Sequence, residues 1–262
     1  MYARRYRRRG PVRKRTTRKY SKKVSTSRKF SSKVKKVLNR MSESKLITNA
    51  QNLASIVPMS AAQFTNITLI PTTISSGASM NNRIGNQITL TSNKIKMYFA
   101  LNAYNAGTNS WQSPVQICLW IYSFKTLNAY ATQASNVQDL VSNQLFQLNN
   151  TSGGTTKTVQ DLLFTTNTEY ITLHKRVCFT LNTPTSAAAS LGYNSDGQPY
   201  KYISLDLSKY AKKMIFNDTQ PGATNRDLFM LINTYHTDGS AYADAERMAS
   251  YTYVQTWKYK DM

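Results

Sequence analysis

The chain has 262 residues, enough for a sizeable buried core, and carries 34 Lys and Arg against 12 Asp and Glu, a net charge of +22. The surplus is uneven: residues 1–45 hold 19 of the cations and a single acid, Glu43, while the remaining 217 residues hold 15 cations and 11 acids. That split excludes a uniformly basic enzyme and predicts a near-neutral body carrying a polycationic arm. Neither a transmembrane helix nor a secretory signal is expected: no apolar run approaches the roughly 18 residues that span a bilayer, and the charged start is not followed by an apolar stretch.

Residues 1–23 read MYARRYRRRGPVRKRTTRKYSKK. Such a segment has almost nothing to bury and its charges repel one another, so in isolation it is expected to be disordered. Its physical use is the neutralisation of phosphates, with release of condensed counterions. The expected nucleic-acid contacts are Arg4, Arg5, Arg7, Arg8, Arg9, Arg13, Lys14, Arg15, Arg18, Lys19, Lys22 and Lys23, continued by Arg28, Lys29, Lys33, Lys35, Lys36 and Arg40. Arginine dominates the first fifteen residues, which suits forked contacts to phosphate oxygens. Tyr2, Tyr6 and Tyr20 lie among these cations and offer rings for stacking on unpaired bases. A nuclear-localisation signal or an unpartnered solvated tail has a similar composition. Nineteen cations exceed what an import receptor reads, so bulk nucleic-acid binding is the expectation, with nuclear import encoded in the same residues.

From Arg28 to Ile47 the pattern changes. Phe30, Val34, Val37, Leu38 and Met41 recur at helical spacing among Lys33, Lys35, Lys36 and Arg40, with Ser27 placed to cap the start. This predicts a short basic amphipathic helix, formed on binding nucleic acid or a partner subunit; a membrane-surface or calmodulin-target helix has the same signature. The domain organisation expected is therefore an arm over 1–47, helical within 28–47, and a body over 48–262.

The body is rich in Ser, Thr, Asn and Gln, which supply 80 of its 217 residues, while 26 carry charge. About 12 percent charged is half the usual share for a soluble domain, and suits a surface largely covered by copies of the same chain. Period-two patterning predicts strands at Gln63–Ile70, Gln87–Asn102, Val115–Phe124, Ile171–Leu181, Tyr200–Leu205, Leu228–Tyr235 and Tyr251–Lys260, with Ser240–Glu246 offering a short eighth. Within Gln87–Asn102, Ile88 and Leu90 set one phase and Ile95, Met97, Phe99 and Leu101 the opposite one, so a bulge or bend is expected at Ser92–Asn93. Val115–Phe124 is apolar on both faces and is expected to be a central strand. Ser135 and Gln138 form a capping-box signature ahead of Val137, Leu140, Val141, Leu145 and Leu148, which predicts a helix in one connection. Long connections at 103–114, 149–157 and 182–199 separate the strands. The fold expected is all-β, a single jelly-roll β-sandwich of two antiparallel sheets and about eight strands, with short helices in loops.

Cys118 and Cys178 both fall in apolar, strand-like runs and read as small core hydrophobes in a reducing compartment; a disulfide between neighbouring strands is the other reading. Neither has the CxxC spacing or His neighbours of a metal site. The two histidines, His174 and His236, come with no nucleophile elbow or polar cysteine, and no phosphate loop follows a strand. Asp238, Asp244 and Glu246 cluster within nine residues and could line a calcium site between subunits, but lack the alternating spacing of a calcium loop and read first as solvated loop acids. No catalytic residue, metal or cofactor is expected, and the chain is not expected to be an enzyme.

A basic arm on a charge-poor β-sandwich resembles the capsid proteins of small icosahedral viruses. Arg83-Ile84-Gly85-Asn86-Gln87-Ile88-Thr89-Leu90 followed by Lys94-Ile95 resembles the early-strand motif of capsids in the circovirus-like and geminivirus-like assemblage of small circular single-stranded DNA viruses. The start, MYARRYRRRG, is similar to circovirus amino termini; Tyr251–Asp261 (YTYVQTWKYKD) resembles their last strand, and 213–232 the loop and strand before it. The resemblance covers most of the chain and departs from circoviruses in the long central loops and across 103–170. It implies a jelly-roll shell of sixty copies with arms pointing inward, found in the virion and the host nucleus. The partners it implies are a single-stranded DNA genome, further copies of the chain, nuclear import receptors and a host-cell receptor, with no membrane insertion.

Sixty arms of +18 carry about 1080 positive charges, matching on the order of a thousand phosphates at one charge each, the scale of a very small genome. On the body, the loops at 103–114, 125–135 and 182–199 and the side chains of Trp111, Trp120 and Trp257 are candidates for subunit contacts, with core packing the alternative for the tryptophans. Two other functions fit the same arm: a viral single-stranded DNA-binding shuttle or movement protein that builds no shell, and the coat protein of a small RNA virus.

Overall fold

A computed structural model describes residues 30–34, 37, 44–60, 63–71, 74–77, 82–102, 114–126, 136–141, 145–146, 155–182, 199–210, 213–217, 220–225 and 227–261. The chain forms two units, Met1–Met41 and Ser42–Met262. In the first, residues 30–34 and 37 are helical, and Phe30, Val34 and Val37 stand exposed along one helical stripe.

Among the described residues, the second unit holds ten strands: β1 (Ser44–Ser55), β2 (Thr65–Thr68), β3 (Gln87–Leu101), β4 (Val115–Phe124), β5 (Ile171–Leu181), β6 (Tyr200–Asp206), β7 (Lys213–Asn217), β8 (Gln220–Ala223), β9 (Phe229–His236) and β10 (Ala249–Asp261). One sheet runs β1-β10-β3, and β3 then pairs with both β6 and the β7–β8 hairpin; the other runs β2-β9-β4-β5. All the strand pairs are antiparallel. Setting the β7–β8 hairpin aside, the eight remaining strands pair first with last (β1–β10), second with seventh (β2–β9), third with sixth (β3–β6) and fourth with fifth (β4–β5). That nesting is one long hairpin rolled up on itself, the jelly roll expected from the sequence.

The core follows from the alternation. Along β10, Tyr251, Tyr253, Gln255, Trp257 and Tyr259 are buried, while Thr252, Val254, Thr256, Lys258 and Lys260 point the other way. On β3 the register against β10 slips between Lys258 and Tyr259, so that Thr91 is an extra residue in the ladder. This bulge is the predicted phase change. It keeps Ile88 and Leu90 on the same buried face as Asn93, Ile95, Met97 and Phe99, which a regular strand would have turned to solvent. The two sheets meet where Phe99 rings pack edge-on against Phe179 of β5, with centroids 5.2 Å apart.

β4 is central, between β9 and β5, as its two apolar faces predict. Its outward face is covered as well: Trp120 packs edge-on against Phe146 and Tyr235, and Tyr235 against Tyr242. Residues 136–141 are helical, and Val137, Leu140 and Val141 join Leu145 and Phe146 in the same core. The connection after β4 thus supplies a second apolar layer, each fully buried large side chain contributing on the order of 1.5–3 kcal/mol.

Several expectations are corrected. β1 begins at Ser44, so Ser44–Ile47 belong to a strand and not to a helix ending at Ile47, and the arm ends at Met41 rather than at Ile47. The body surface begins before residue 48 for a physical reason: Lys45 is buried and ion-paired to Asp261 at 2.7 Å, with its ammonium also donating to the Asn82 carbonyl at 2.6 Å. β7 and β8 were not expected as strands, and Ser240–Glu246 is turn and loop instead of an eighth strand. Cys118 and Cys178 are not separate core thiols; they stand opposite each other on β4 and β5 with Cα atoms 4.2 Å apart and are joined in a disulfide. Trp120 and Trp257 are buried and serve packing rather than subunit contacts. Trp111, Ser135 and Leu148 lie outside the described residues, as does nearly all of the three loops at 103–114, 125–135 and 182–199.

Candidate nucleic-acid interface

Of the residues expected to bind nucleic acid, Lys33 is described and stands exposed on the helix beside the Phe30–Val34–Val37 stripe. The other seventeen cations and Tyr2, Tyr6 and Tyr20 lie outside the described residues. With the boundary at Met41, the first unit holds 18 Lys and Arg and no Asp or Glu, and Lys45, counted with the arm in the sequence reading, is neutralised within the body.

The body presents a second set of cations that sequence reasoning passed over. On β3, Lys94, Lys96 and Tyr98 occupy the phase opposite the core, and on β10 Lys258 and Lys260 do the same. The β3–β6 register sets Tyr98 against Tyr202, Ala100 against Tyr200 and Lys96 against Ser204. Tyr98 lies 4.8 Å from Tyr202 and 6.0 Å from Tyr200, centroid to centroid, while Tyr200 and Tyr202 meet edge-on at 6.4 Å. Tyr202 is 74% exposed. The nearby acid, Asp206, accepts hydrogen bonds from the Ser208 hydroxyl at 2.6 Å and the Ser208 amide at 3.0 Å, which hold its carboxyl below the usual range. The signal was legible in part: Lys-x-Lys-x-Tyr on β3 and Lys-x-Lys on β10 alternate with core residues, while Tyr200 and Tyr202 flank the exposed Lys201. Only the strand order brings the three together.

The sheet that carries this face is pinned from behind by a buried polar knot. The carbonyl of Leu69, just past β2, accepts from Asn93 Nδ2 and Gln255 Nε2 at 2.8 Å each and from Trp257 Nε1 at 3.2 Å. Gln255 Nε2 also donates to Asn93 Oδ1 at 2.9 Å. These hydrogen bonds offset most of the cost of burying the amides, while Gln255 Oε1 accepts none among the described residues.

Arg83 of the resemblance motif is likewise structural. It is buried, donates from Nε to the Ile74 carbonyl at 3.1 Å and from Nη1 to the Gly85 carbonyl and Asn86 Oδ1 at 2.8 Å each, and sits 5.1 Å over the Phe216 ring. The motif therefore fastens the turn that launches β3 to the β7–β8 hairpin.

The remaining candidates are dispersed. Asp238 accepts from the Ser240 amide and hydroxyl, and Asp244 pairs with Lys157 at 2.8 Å. Glu246 is no solvated loop acid: it is buried against His236, 3.1 Å from Nε2. Among the described residues no three His, Cys, Asp or Glu side chains gather at metal-binding distance. His174 Nε2 lies 2.9 Å from the Ser123 hydroxyl and the ring packs on Tyr210; burial, and secondarily the Lys209 charge, push its pKa below the usual histidine value. A cavity of about 280 Å³ between the β1 and β2 edges is lined by amides, hydroxyls and rings, among them Asn49, Gln51, Asn66, Tyr251 and Tyr253. No described helix is long and apolar enough to cross a membrane.

The chain matches no protein-family model, and no curated protein sequence matches it. Among solved structures it shows similarity to VP1 of the Trichodysplasia spinulosa-associated polyomavirus, solved in complex with sialylated glycooligomers. That similarity has 9% identity and a TM-score of 0.22, covering 83% of this chain and 95% of that one. The likeness is too weak to carry a conclusion about this chain.

Proposed function

We propose that this chain is a viral capsid protein whose jelly roll assembles into a closed shell of identical copies and whose arm packages single-stranded DNA. The observation that carries the reading is the partition of charge: 18 cations and no acid in Met1–Met41, against a net of +4 in residues 42–262. A segment of that kind neutralises phosphate, while a body so poor in charge is suited to burial against its own copies. The antiparallel jelly roll has its loops clustered at the sandwich ends, where neighbours can meet, and β1 of one sheet and β2 and β5 of the other are edge strands. In this reading packaging is electrostatic with little base readout, the arm also directs nuclear import, and the protein acts by binding and assembly, without catalysis or cofactor.

Electron microscopy of the full chain beside a variant lacking residues 1–41, with the nucleic-acid-to-protein absorbance ratio of each, tests the reading. Uniform shells from both are expected, with most of the nucleic acid lost from the variant. Small species that bind DNA and never close into shells would overturn it in favour of a shuttle protein. Shells whose contents are destroyed by ribonuclease and resist deoxyribonuclease would overturn the assignment to DNA.

A further inference from the structure

The outer face of the six-stranded sheet combines clustered tyrosines with exposed lysines. Its tyrosines are clustered: the half-buried Tyr98 faces Tyr202 across β3 and β6, Tyr200 completes the trio, and Tyr202 is 74% exposed. Its cations stand on the same phase of the same strands, with Lys94 and Lys96 on β3 and Lys258 on β10, all exposed. The acid on this phase of β6, Asp206, is kept ionised by two hydrogen bonds from Ser208 and stands opposite Lys94, whose charge it offsets, which leaves Lys96 and Lys258 as the cations available to a ligand on this face. Successive residues on one phase of a strand are spaced at about 6.8 Å, so lysines and rings form a ridge along β3 leading from charge to aromatic surface.

We propose that this face binds a single strand of DNA, its bases stacking on Tyr202 with Tyr98 and Tyr200 and its phosphates meeting Lys96 and Lys258. Stacking on open rings requires unpaired bases, and a lysine ridge beside them supplies sequence-independent attraction to the backbone. The inference deepens the packaging reading and rests on it. It adds a structured contact on the body to the charge of the arm, so that the genome is held by an ordered surface as well as by cations.

The test is photo-cross-linking of the full chain to an oligothymidylate carrying 5-iodo-deoxyuridine, with cross-linked peptides mapped by mass spectrometry. Cross-links to the peptide bearing Tyr200 and Tyr202, beside those in residues 1–41, are expected. Cross-links confined to residues 1–41, or to other parts of the body, would overturn the proposal and leave packaging by the arm standing; no binding and no cross-link anywhere would overturn the packaging reading itself. Tyr200→Ala with Tyr202→Ala should weaken oligothymidylate binding about tenfold at salt high enough to suppress the arm, and Tyr202→Phe beside Tyr200→Phe should restore it. If the alanine pair leaves binding unchanged and abolishes shells, the face is a contact between copies and the proposal fails. Tighter binding of an equal-length oligouridylate RNA by tenfold or more would overturn the assignment to DNA.

Discussion

Reducing the Cys118–Cys178 disulfide should cost the body about 4 kcal/mol. The bond closes a loop of 60 residues, and removing that constraint restores to the unfolded chain the entropy of an open loop, about 4 kcal/mol at that length. The loop contains the connection that covers the outer face of β4, including the Trp120–Phe146 contact, so the native structure on either side of the bond is extensive. At about 2–4 °C per kcal/mol for a domain of this size, the thermal midpoint should fall by roughly 10 °C. The assay is urea and thermal unfolding of unassembled protein with and without reductant, beside the Cys118→Ala, Cys178→Ala double variant. Reductant should lower the midpoint of the natural chain and leave that of the double variant unmoved. Cys178 is exposed, so access of the reductant does not limit the experiment. An unchanged midpoint in reductant, with both sulfurs alkylated once the chain is unfolded without it, would refute the pairing.

If all 18 cations of residues 1–41 engage a single strand, log K should fall with log salt at a slope of about −13, and replacing Arg4, Arg5, Arg7, Arg8 and Arg9 by Ser should reduce the slope by about 3.5; fluorescence anisotropy with oligothymidylate measures both, and a change under 1 would refute the role of these arginines. Trp257→Phe should cost only about 1 kcal/mol, because the Leu69 carbonyl keeps two other donors, whereas Asn93→Ala should cost about 3 kcal/mol by removing two of the knot's hydrogen bonds at once, its donation to Leu69 and its acceptance from Gln255, in a sealed site; equal losses in urea unfolding would show the knot is not organised around Asn93. His174 is held below the usual 6.5 when folded, so as pH falls the unfolded chain takes up its proton first. Its contribution to stability is complete above 6.5 and is lost as pH falls through the lowered folded value. His174→Gln should flatten the decline of the urea midpoint between pH 7 and 5, and an identical decline in the variant would exclude this imidazole as its source.

The strands legible from the sequence were those in which side chains alternate against a core. Tyr251, Tyr253, Gln255, Trp257 and Tyr259 bury every second residue, and a reading by period two finds β10 within two residues at each end. The phase break in β3 was legible for the same reason, since a core that must stay on one side forces an extra residue at Thr91. β1 was missed because it is held mainly through its backbone: ten of its twelve residues pair in register with β10, yet most of its side chains are exposed and its apolar residues keep no phase. β7 does alternate, with Met214 and Phe216 buried, but over five residues only and beside a four-residue β8, too short a run to stand out by period two. Alternation likewise says nothing about which strands are neighbours, so the cysteines looked like independent thiols until β4 and β5 were set side by side.

The sequence by itself determined the division of labour, because charge and composition are local properties that no fold can redistribute: a cationic first segment, a charge-poor β body, and the period-two strands within it. Tertiary structure decided what depends on residues meeting from far apart. It joined Cys118 to Cys178, buried Lys45 against Asp261 across the length of the chain, and turned Arg83 from a motif residue into the clasp of a turn. It also assembled Tyr98, Tyr200 and Tyr202 beside the strand lysines, a surface made by pairing register, which no single stretch of sequence contains.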